Sequence, residues 1–401
     1  MSATPRTILC VFAHPDDEIG AGSTLAYYDD RGVRSVLICA SRGEACTIFC
    51  DDCATPETIA AVRTGELECA CAHLGIDELR WLDWPDGAIS GLPRDTAVGE
   101  IVRHIREVKP DIVITHPEHG LYPHPDHLAV WEMTRNAFAA AADPESYPDA
   151  GPPWAPARLF VRALPQSMFE AAPALAGFRV ELNGAELPFH GTPDDQIDVV
   201  VEAADYVPRR MAAWDCHKSQ HNPKGFSSVM PDGLRQEMAA REAFVLAAER
   251  IALPEDIKDD LLAGLEQPPA EAPADEGQVE VLHSELIASR TLLALAEHFR
   301  KNAIEPKDQR TFEAFVEHQQ EILQELARAL RQAGAGSGKV EPRPLGKAGW
   351  LEIPKQQIEY LRGEAKRAAE RYRALAESDP ARRGLWEESA TLADAQRAGL
   401  G

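Results

Sequence analysis

An apolar run that ends in a charged turn lies at residues 7–18, which read TILCVFAHPDDE. Its first part, residues 7–13, predicts a buried strand. The turn that follows carries an imidazole at His14 and carboxylates at Asp16 and Asp17, with a further carboxylate beside them. Because α/β proteins bind ligands at the carboxyl ends of their strands, this turn is expected to form a functional site. Its side chains are typical of a metal-assisted hydrolase.

Strand-like and helix-like segments alternate from this stretch to about residue 250. Further strands are predicted at 35–40, 79–82, 111–116, 158–163, 196–201 and 244–247. Helices are predicted between them at 21–31, 55–74, 95–108, 126–142 and 203–219. This alternation of near-continuous apolar strands with helices predicts an α/β fold, in which a mostly parallel sheet is covered by helices on both faces.

The chain has 401 residues, which exceeds the usual size of one compact domain and favours two. We expect a hydrolase domain over 1–250, an acidic proline-rich linker over 251–278 and an all-α region over 279–401. Apolar residues at three- and four-residue spacing predict helices at 279–302, 308–334 and 354–377, and residues 333–339 predict a flexible break. Such a bundle of three to four helices is a candidate surface for a homo-oligomer or a protein partner.

The composition argues against two classes of partner. A formal net charge of -24 disfavours nucleic acids and anionic membrane surfaces, since both require clustered basic residues. No apolar run approaches the roughly 20 residues of a membrane span, and no signal-peptide pattern precedes the first strand. We therefore expect a cytoplasmic protein without nucleic-acid or membrane partners, whose 8 cysteines are mostly reduced.

A second histidine-rich segment follows the strand predicted at 111–116. Residues 116–127 read HPEHGLYPHPDH. Neighbouring parallel strands end at the same edge of a sheet, so this loop can meet the first turn. Zinc hydrolases typically bind their ion with three protein ligands and keep one position for water. His14, Asp17 and His127 are therefore the expected ligands of one catalytic Zn²⁺.

The remaining polar residues of the two segments suggest catalytic roles. Asp16 lies beside the ligands and can take a proton from water, and His124 can stabilise an oxyanion and protonate a departing amine. Glu18 is expected to support the turn rather than bind metal, and His116 and His119 are expected to have supporting roles. Either motif alone could be a capped helix start, but two motifs at the ends of two strands favour a metal site.

These motifs resemble those of the PIG-L/LmbE-like zinc-dependent N-deacetylases, a family that includes deacetylases of N-acetylglucosaminyl compounds in mycothiol and bacillithiol synthesis. The resemblance covers roughly residues 5–250. It rests on residues 13–18 and 124–127, with support from 41–44 (SRGE), from Arg63 with Glu66 and Leu67, and from 217–220 (HKSQ). It implies a Rossmann-like sheet and removal of an acetyl group from an N-acetylated small molecule, such as an N-acetylglucosamine-type sugar or sugar conjugate.

The resemblance also implies roles for single residues. It makes His14, Asp17 and His127 the zinc ligands, Asp16 the general base and His124 the electrostatic or acid partner. Tyr122 matches a tyrosine near the oxyanion. The expected substrate-binding residues are Arg42, Glu44, Arg63 and Asp86. Pro123 departs from the family pattern, because a glycine usually precedes the second motif and proline stiffens the approach to His124.

Three cysteines lie outside the family pattern. Cys46, Cys50 and Cys53 have C-x3-C-x2-C spacing in the loop after the second strand. Thiolates this close could form a second metal site, with Cys216 or His73 as a fourth ligand, or a redox site. The plainer alternative is a loop of free thiols or one disulfide.

Three other functions remain open. The chain could be an amidase that removes a larger acyl group, as in thiol-conjugate detoxification. It could be a non-catalytic zinc-containing interaction protein, or a redox or metal sensor built on the cysteines. Asp16 and His124 favour an enzyme, because a structural zinc site needs neither residue.

Overall fold

The computed structural model describes residues 6–182, 184–265, 276–302, 306–332, 354–378 and 383–399. Its internal contacts divide the chain into two compact units. The first comprises Arg6–Asp29 and Val33–Pro268, and most of the second is Pro269–Gly401. None of the described helices combines the length and the apolarity needed to cross a membrane.

Nine strands occur in the described part of the first unit. They are β1 Thr7–Phe12, β2 Arg34–Cys39, β3 Glu78–Trp81, β4 Ile112–Thr115, β5 Arg158–Ala163, β6 Arg179–Leu182, β7 Ala185–Pro188, β8 Val199–Glu202 and β9 Arg241–Glu249. Seven of them form one sheet in the order β3-β2-β1-β4-β5-β9-β8. The neighbours from β3 to β5 pair in parallel, whereas β9 runs antiparallel to both β5 and β8. The predicted mostly parallel sheet is confirmed.

Thirteen α-helices accompany these strands in the described residues. They are α1 Gly22–Asp29, α2 Ile59–Leu74, α3 Arg94–Val108, α4 Pro125–Ala140, α5 Gln166–Ala171, α6 Pro173–Ala176, α7 Val207–Cys216, α8 Phe226–Val229, α9 Asp232–Ala240, α10 Glu276–Asn302, α11 Pro306–Gln332, α12 Pro354–Ser378 and α13 Arg383–Gly399. The first nine belong to the first unit, and the last four make the second unit helical, as predicted.

Strand β1 lies in the middle of two apolar layers. Ile8 and Phe12 face one core, together with residues of α1, α2 and α7. Leu9 and Val11 face the other core, together with residues of α3 and α4. Because successive side chains of a strand point to opposite faces, a strand that is apolar at every position must be covered on both sides. The helices therefore cover both faces of the sheet.

The segment between β5 and β8 contains elements that periodicity did not predict. Strands β6 and β7 form a separate two-stranded hairpin, and both are largely exposed. A short exposed hairpin buries few apolar residues, so its sequence carries little strand signal. The helices α5, α6, α8 and α9 are not predicted either, since segments of four to nine residues are too short to show a helical apolar period.

The two ends of the expected linker differ. Leu261 and Leu265 belong to the apolar core of the first unit. Residues 266–275 and the glycine-rich break at 333–339 lie outside the described residues. In the second unit, helices α10–α13 bury their own core, which includes Phe299, Phe315 and Trp386.

A buried arginine holds the loop that follows α4. Arg106 is 2% exposed and lies on the last turn of α3. Its guanidinium donates hydrogen bonds to the backbone carbonyls of Ala140, Ala141, Asp143, Ser146, Tyr147 and Gly151. Buried carbonyls require such partners, because an unpaired buried acceptor is costly.

Replacing Arg106 with Met is expected to lower the free energy of unfolding by about 3 kcal/mol, because several carbonyls lose their donor at once. The matched control is Arg103→Met on the same helix. The Arg103 side chain is 44% exposed in an ion pair with Glu107, so its loss should cost less than about 1 kcal/mol. Urea denaturation of the full chain measures both changes. Equal midpoints for the two variants would contradict the role of Arg106.

Candidate active site and metal centre

The histidine-rich loop and the first turn meet at one edge of the sheet. Strands β1 and β4 are parallel neighbours, so residues 13–18 and 116–127 both follow carboxyl ends at that edge. The two segments are joined by a hydrogen bond from the backbone N–H of Ala13 to Nε2 of His116, at 3.1 Å. His116 also stacks on His127, with ring centroids 4.1 Å apart. The meeting point is buried and rich in groups that can bind a cation.

Three of these groups converge on one point. Nε2 of His127 lies 3.3 Å from Nδ1 of His14 and 3.5 Å from Oδ1 of Asp17. Nδ1 of His14 lies 3.6 Å from Oδ2 of Asp17. Tetrahedral ligands at zinc bond lengths are separated by roughly 3.3 Å, so these spacings match ligands of a single ion.

Hydrogen bonds on the far side of both imidazoles orient their ligand nitrogens. Nδ1 of His127 donates to the backbone carbonyl of Gly120 at 2.9 Å, which leaves Nε2 free to bind a metal. Nε2 of His14 lies 3.0 Å from Oδ1 of Asp86 and 3.4 Å from Oδ2 of Asp126, which leaves Nδ1 free. Two oriented imidazoles and one carboxylate fit a catalytic divalent cation that keeps an open position.

The pKa shifts of Asp17, His127 and His14 bear on metal binding at these three residues. Burial favours the neutral form of Asp17, but the neighbouring His127 and His116 outweigh it and hold the pKa of Asp17 well below its usual range. Burial and the nearby His116 hold the pKa of His127 well below its usual range, which favours the unprotonated ring that a metal ligand requires. For His14, burial is outweighed by hydrogen bonds to Asp126 and Asp86, which raise its pKa to about 10. Metal binding must therefore release a proton from His14.

Asp16 precedes the candidate ligand Asp17 in the first turn, and its side chain stays partly exposed. Its backbone has φ 111° and ψ −17°, a left-handed conformation that is uncommon outside glycine. The side chain is 27% exposed, and its Oδ2 lies 3.3 Å from Nη2 of Arg63. Burial raises the pKa of Asp16 to about 6, although the positive charge of Arg63 acts to lower it. A carboxyl with this pKa can accept a proton near neutral pH.

His124 and Tyr122 are hydrogen-bond donors beside the ligands. Nδ1 of His124 accepts the backbone N–H of Asp126 at 3.2 Å, so a neutral ring carries its proton on Nε2. Burial and the nearby His14 lower the pKa of His124, which favours that neutral ring. The Tyr122 ring centroid lies 5.1 Å from that of His127, and burial raises the Tyr122 pKa, so its hydroxyl keeps its proton.

The residues expected to bind substrate divide into two groups. Arg63 is buried and donates hydrogen bonds to the backbone carbonyls of Pro15 and Gly43, so it joins the first turn to the loop after β2. Glu44 accepts the backbone N–H of Asp86 at 2.9 Å. The Asp86 side chain itself is engaged by His14.

Arg42, the fourth expected substrate-binding residue, contacts Asp83 and Trp81. It donates to Oδ1 of Asp83 at 2.7 Å and stacks on the ring of Trp81, 4.3 Å from its centroid. It therefore contacts the end of β3, the turn after it and, through Thr64, helix α2. Arg63, Glu44 and Asp86 instead contact the loops around the candidate ligands. Sequence spacing does not reveal this difference, because all four residues lie in loops or on a helix face at the same edge.

The loop after β2 contains the one disulfide of the plainer alternative, whereas the expectation that the cysteines are mostly reduced is not met. Cys50 and Cys53 form a disulfide bond, and so do Cys69 and Cys216. Cys46 is a free thiol whose Sγ accepts a hydrogen bond from Gln220. Cys46, Cys50 and Cys53 therefore do not form a three-thiolate site in this structure, and four of the eight cysteines are not reduced. The Cα separations of 5.7 and 5.9 Å fall within the range that disulfides require.

Asp126 is the functional residue that the sequence reasoning missed. It is buried, accepts the backbone N–H groups of Gly87 at 2.7 Å and Ile89 at 3.1 Å, and contacts His14. The available signal was its position between His124 and His127. His14, His124 and Asp126 also lie close enough together to be considered as a second ligand set.

Comparisons with known proteins agree on one family. The family model of GlcNAc-PI de-N-acetylases, PIG-L, matches residues 9–138. The chain is 33% identical over 273 residues to a 1D-myo-inositol 2-acetamido-2-deoxy-alpha-D-glucopyranoside deacetylase of Frankia casuarinae, covering 60% of this chain and 89% of that protein. An enzyme of the same name from Thermomonospora curvata is 33% identical over 252 residues, covering 55% of this chain and 82% of that protein.

A solved structure is also similar. It is a conserved protein of Thermus thermophilus with 23% sequence identity and a TM-score of 0.45, and the match covers 63% of this chain and 98% of that protein. The sequence matches to the curated relatives carry the family relationship.

Metal analysis of two variants distinguishes the two possible ligand sets. The His127→Ala protein is expected to lose metal affinity by more than about 100-fold, because it lacks a direct ligand rather than an orienting partner. The His124→Ala protein should still bind about one ion per chain. Both are equilibrated with Zn²⁺, desalted and measured by mass spectrometry of the metal. The reverse result would assign the ion to His14, His124 and Asp126.

Proposed function

Because the chain belongs to the PIG-L family of GlcNAc-PI de-N-acetylases, we propose that this N-deacetylase acts on a glucosaminide of a polyol, such as an N-acetylglucosaminyl inositol. Its products are acetate and the free amine. The observation that carries the proposal is the convergence of His14, Asp17 and His127, with the carboxylate of Asp16 beside them. The names of the two curated relatives support the substrate class.

The proposed metal is Zn²⁺, held by His14, Asp17 and His127. Two imidazoles and one carboxylate with an open position form a typical donor set for catalytic zinc. When bound, the ion supplies a Lewis acid that polarises the amide carbonyl and lowers the pKa of water. The hydrogen bonds of Gly120 and Asp86 keep the two imidazoles turned for this role.

The chain's own residues would move the protons. Asp16 accepts a proton from the water that attacks the acetamide carbonyl. His124, with its proton on Nε2, donates a hydrogen bond to the developing oxyanion, and the proton that Asp16 has taken from the water passes to the amine nitrogen as the C–N bond breaks. Tyr122 supplies a second donor, since its hydroxyl stays protonated.

The sugar is proposed to bind beside Asp16, where Arg63 and Glu44 border the loops after β1 and β2. Arg42 and Asp86 are proposed as further sugar contacts, and all four side chains also have protein partners. Polar side chains that converge in this way suit hydroxyl groups.

We further propose that residues 1–250 contain the whole catalytic apparatus and that, within the expected linker 251–278, the link to residues 279–401 begins only after Leu265, which packs in the core of the first unit. Helices α10–α13 are the proposed surface for self-association or for a protein partner. A cytoplasmic location is proposed on the same footing, supported by the net negative charge, which does not favour anionic membrane surfaces.

Replacing Asp16 with Asn should reduce acetate release about 1,000-fold while the metal stays bound, because an amide cannot accept the proton. Acetate released from an N-acetylglucosaminyl inositol is quantified enzymatically, with metal content measured on the same samples. The control Asp95→Asn changes a carboxylate on α3 that hydrogen-bonds the Tyr147 hydroxyl, and it should keep wild-type activity. Undiminished acetate release by the Asp16 variant, or release of a larger acid by the wild type, would contradict the proposal.

The pH profile tests the role of Arg63. Asp16 works as a carboxylate, and its pKa of about 6 predicts that kcat/KM falls as the pH drops through that value. Arg63 stabilises the charged form, so Arg63→Met should raise the pKa of Asp16 and move the acid limb to higher pH. The control Arg63→Lys keeps the charge and should shift the limb less. An acid limb that does not move in Arg63→Met would exclude this electrostatic role.

A further inference from the structure

A buried ion pair between His217 and Glu18 contacts the backbone of Asp16. Nε2 of His217 is 2.7 Å from Oε1 of Glu18, and the two side chains are 0% and 1% exposed. The two residues are 199 positions apart in the sequence. His217 comes from the end of α7, and Glu18 from the turn after β1. Neither residue is among the ligands or the proton donors described above.

Glu18 connects this pair to the backbone of Asp16. Its second oxygen, Oε2, accepts the backbone N–H of Asp16 at 2.9 Å. One carboxylate therefore joins His217 on one side and the Asp16 peptide on the other. The Asp16 peptide is the one in the left-handed conformation, with φ 111°. A non-glycine residue persists in such a conformation only where surrounding contacts hold it there.

His217 is itself held firmly. Its backbone N–H donates to Trp214 at 3.0 Å, and its carbonyl accepts the N–H of Gln220 at 2.9 Å. The next turn is fixed by Glu66, which accepts both the N–H and the hydroxyl of Ser219. Nδ1 of His217 is buried without a hydrogen-bond partner among the described residues, so the ring bonds there through Nε2 alone. The backbone of His217 is therefore held in place, with Nε2 of its imidazole bonded to Glu18.

We propose that Glu18 and His217 are a pair of positioning residues that holds Asp16 in its left-handed conformation and so aims its carboxylate at the attacking water. The inference rests on the proposed function in one respect, namely that Asp16 is the general base. The pair does not touch the substrate or the metal. It acts through one peptide N–H.

Stability alone is a poor reason for such a pair. Removing two charged groups from water carries a desolvation penalty, and apolar side chains of similar size often replace a buried pair without loss of stability. What an apolar pair cannot do is accept the Asp16 N–H. The pair also lies where a small displacement matters, since misplacing a catalytic group by about 1 Å can slow a reaction about 100-fold.

The first test compares kcat with KM. His217→Leu removes the donor to Glu18 and should lower kcat about 100-fold, with KM and metal content within about twofold of wild type. His217→Gln, whose amide N–H can bond Glu18, should have a kcat about tenfold higher than that of His217→Leu. The control is His221→Leu in the same segment, whose ring bonds the carbonyl of Trp214, and it should stay within about twofold of wild type. A His217→Leu protein as active as the control would overturn the proposal.

A double-mutant cycle separates positioning from general damage. If His217 acts through Asp16, then His217→Leu should have almost no further effect on the residual activity of Asp16→Asn. A general structural defect would instead reduce that residual activity by the same factor as it reduces the wild type. Equal factors in the two backgrounds would overturn the proposal.

A crystal structure supplies a readout that needs no substrate. In metal-loaded His217→Leu, Asp16 should leave the left-handed region and its carboxylate should move. The proposal fails if Asp16 keeps φ near 111° and its carboxylate stays in place. A wild type that releases no acetate would refute the proposed function alone, whereas an active wild type and an unmoved Asp16 would refute the positioning pair alone.

Discussion

The parallel pairing of β1 with β4 is the constraint on which the site depends. Ile8, Leu9 and Cys10 pair with Ile112, Val113 and Ile114, so both strands end at the same level. Two short loops, far apart in the sequence, therefore begin side by side at one edge of the sheet. This pairing brings the segments that carry the proposed ligands His14, Asp17 and His127 together. Chain reversal or a change of register at β4 would separate them.

Within the first turn, neighbouring side chains serve different tasks because the backbone changes direction at Asp16. Asp17 points into the cluster of imidazoles, which keeps it charged. Asp16 remains partly exposed beside Arg63. Glu18 turns back to His217 and to the peptide of Asp16. Five consecutive residues thus supply two of the proposed metal ligands, the proposed base and the proposed support for that base, and the left-handed peptide of Asp16 lies between them.

Much of this arrangement could be predicted from the sequence. The buried strands and the two motifs are local patterns, and local patterns determine which residues reach the carboxyl edge of a parallel sheet. The antiparallel direction of β9 could not be predicted from the sequence, because an apolar run does not encode the direction of a strand. The hairpin of β6 and β7 is exposed and short, so it leaves little periodicity.

Other features depend on contacts that only the fold creates. The disulfide bond between Cys69 and Cys216 joins residues that are 147 positions apart. The contacts of His14 with Asp86 and of Arg42 with Trp81 depend on how segments after different strands meet. Asp126 was missed because a carboxylate between two histidines reads equally well as a helix start.

The most direct test of the central claim is a crystal structure of the zinc-loaded protein with anomalous scattering recorded at the zinc edge. One strong peak is expected, about 2.0–2.2 Å from Nδ1 of His14, Nε2 of His127 and a carboxylate oxygen of Asp17. A peak bound by His124 and Asp126, or by cysteine sulfurs, with none between His14, Asp17 and His127, would contradict it.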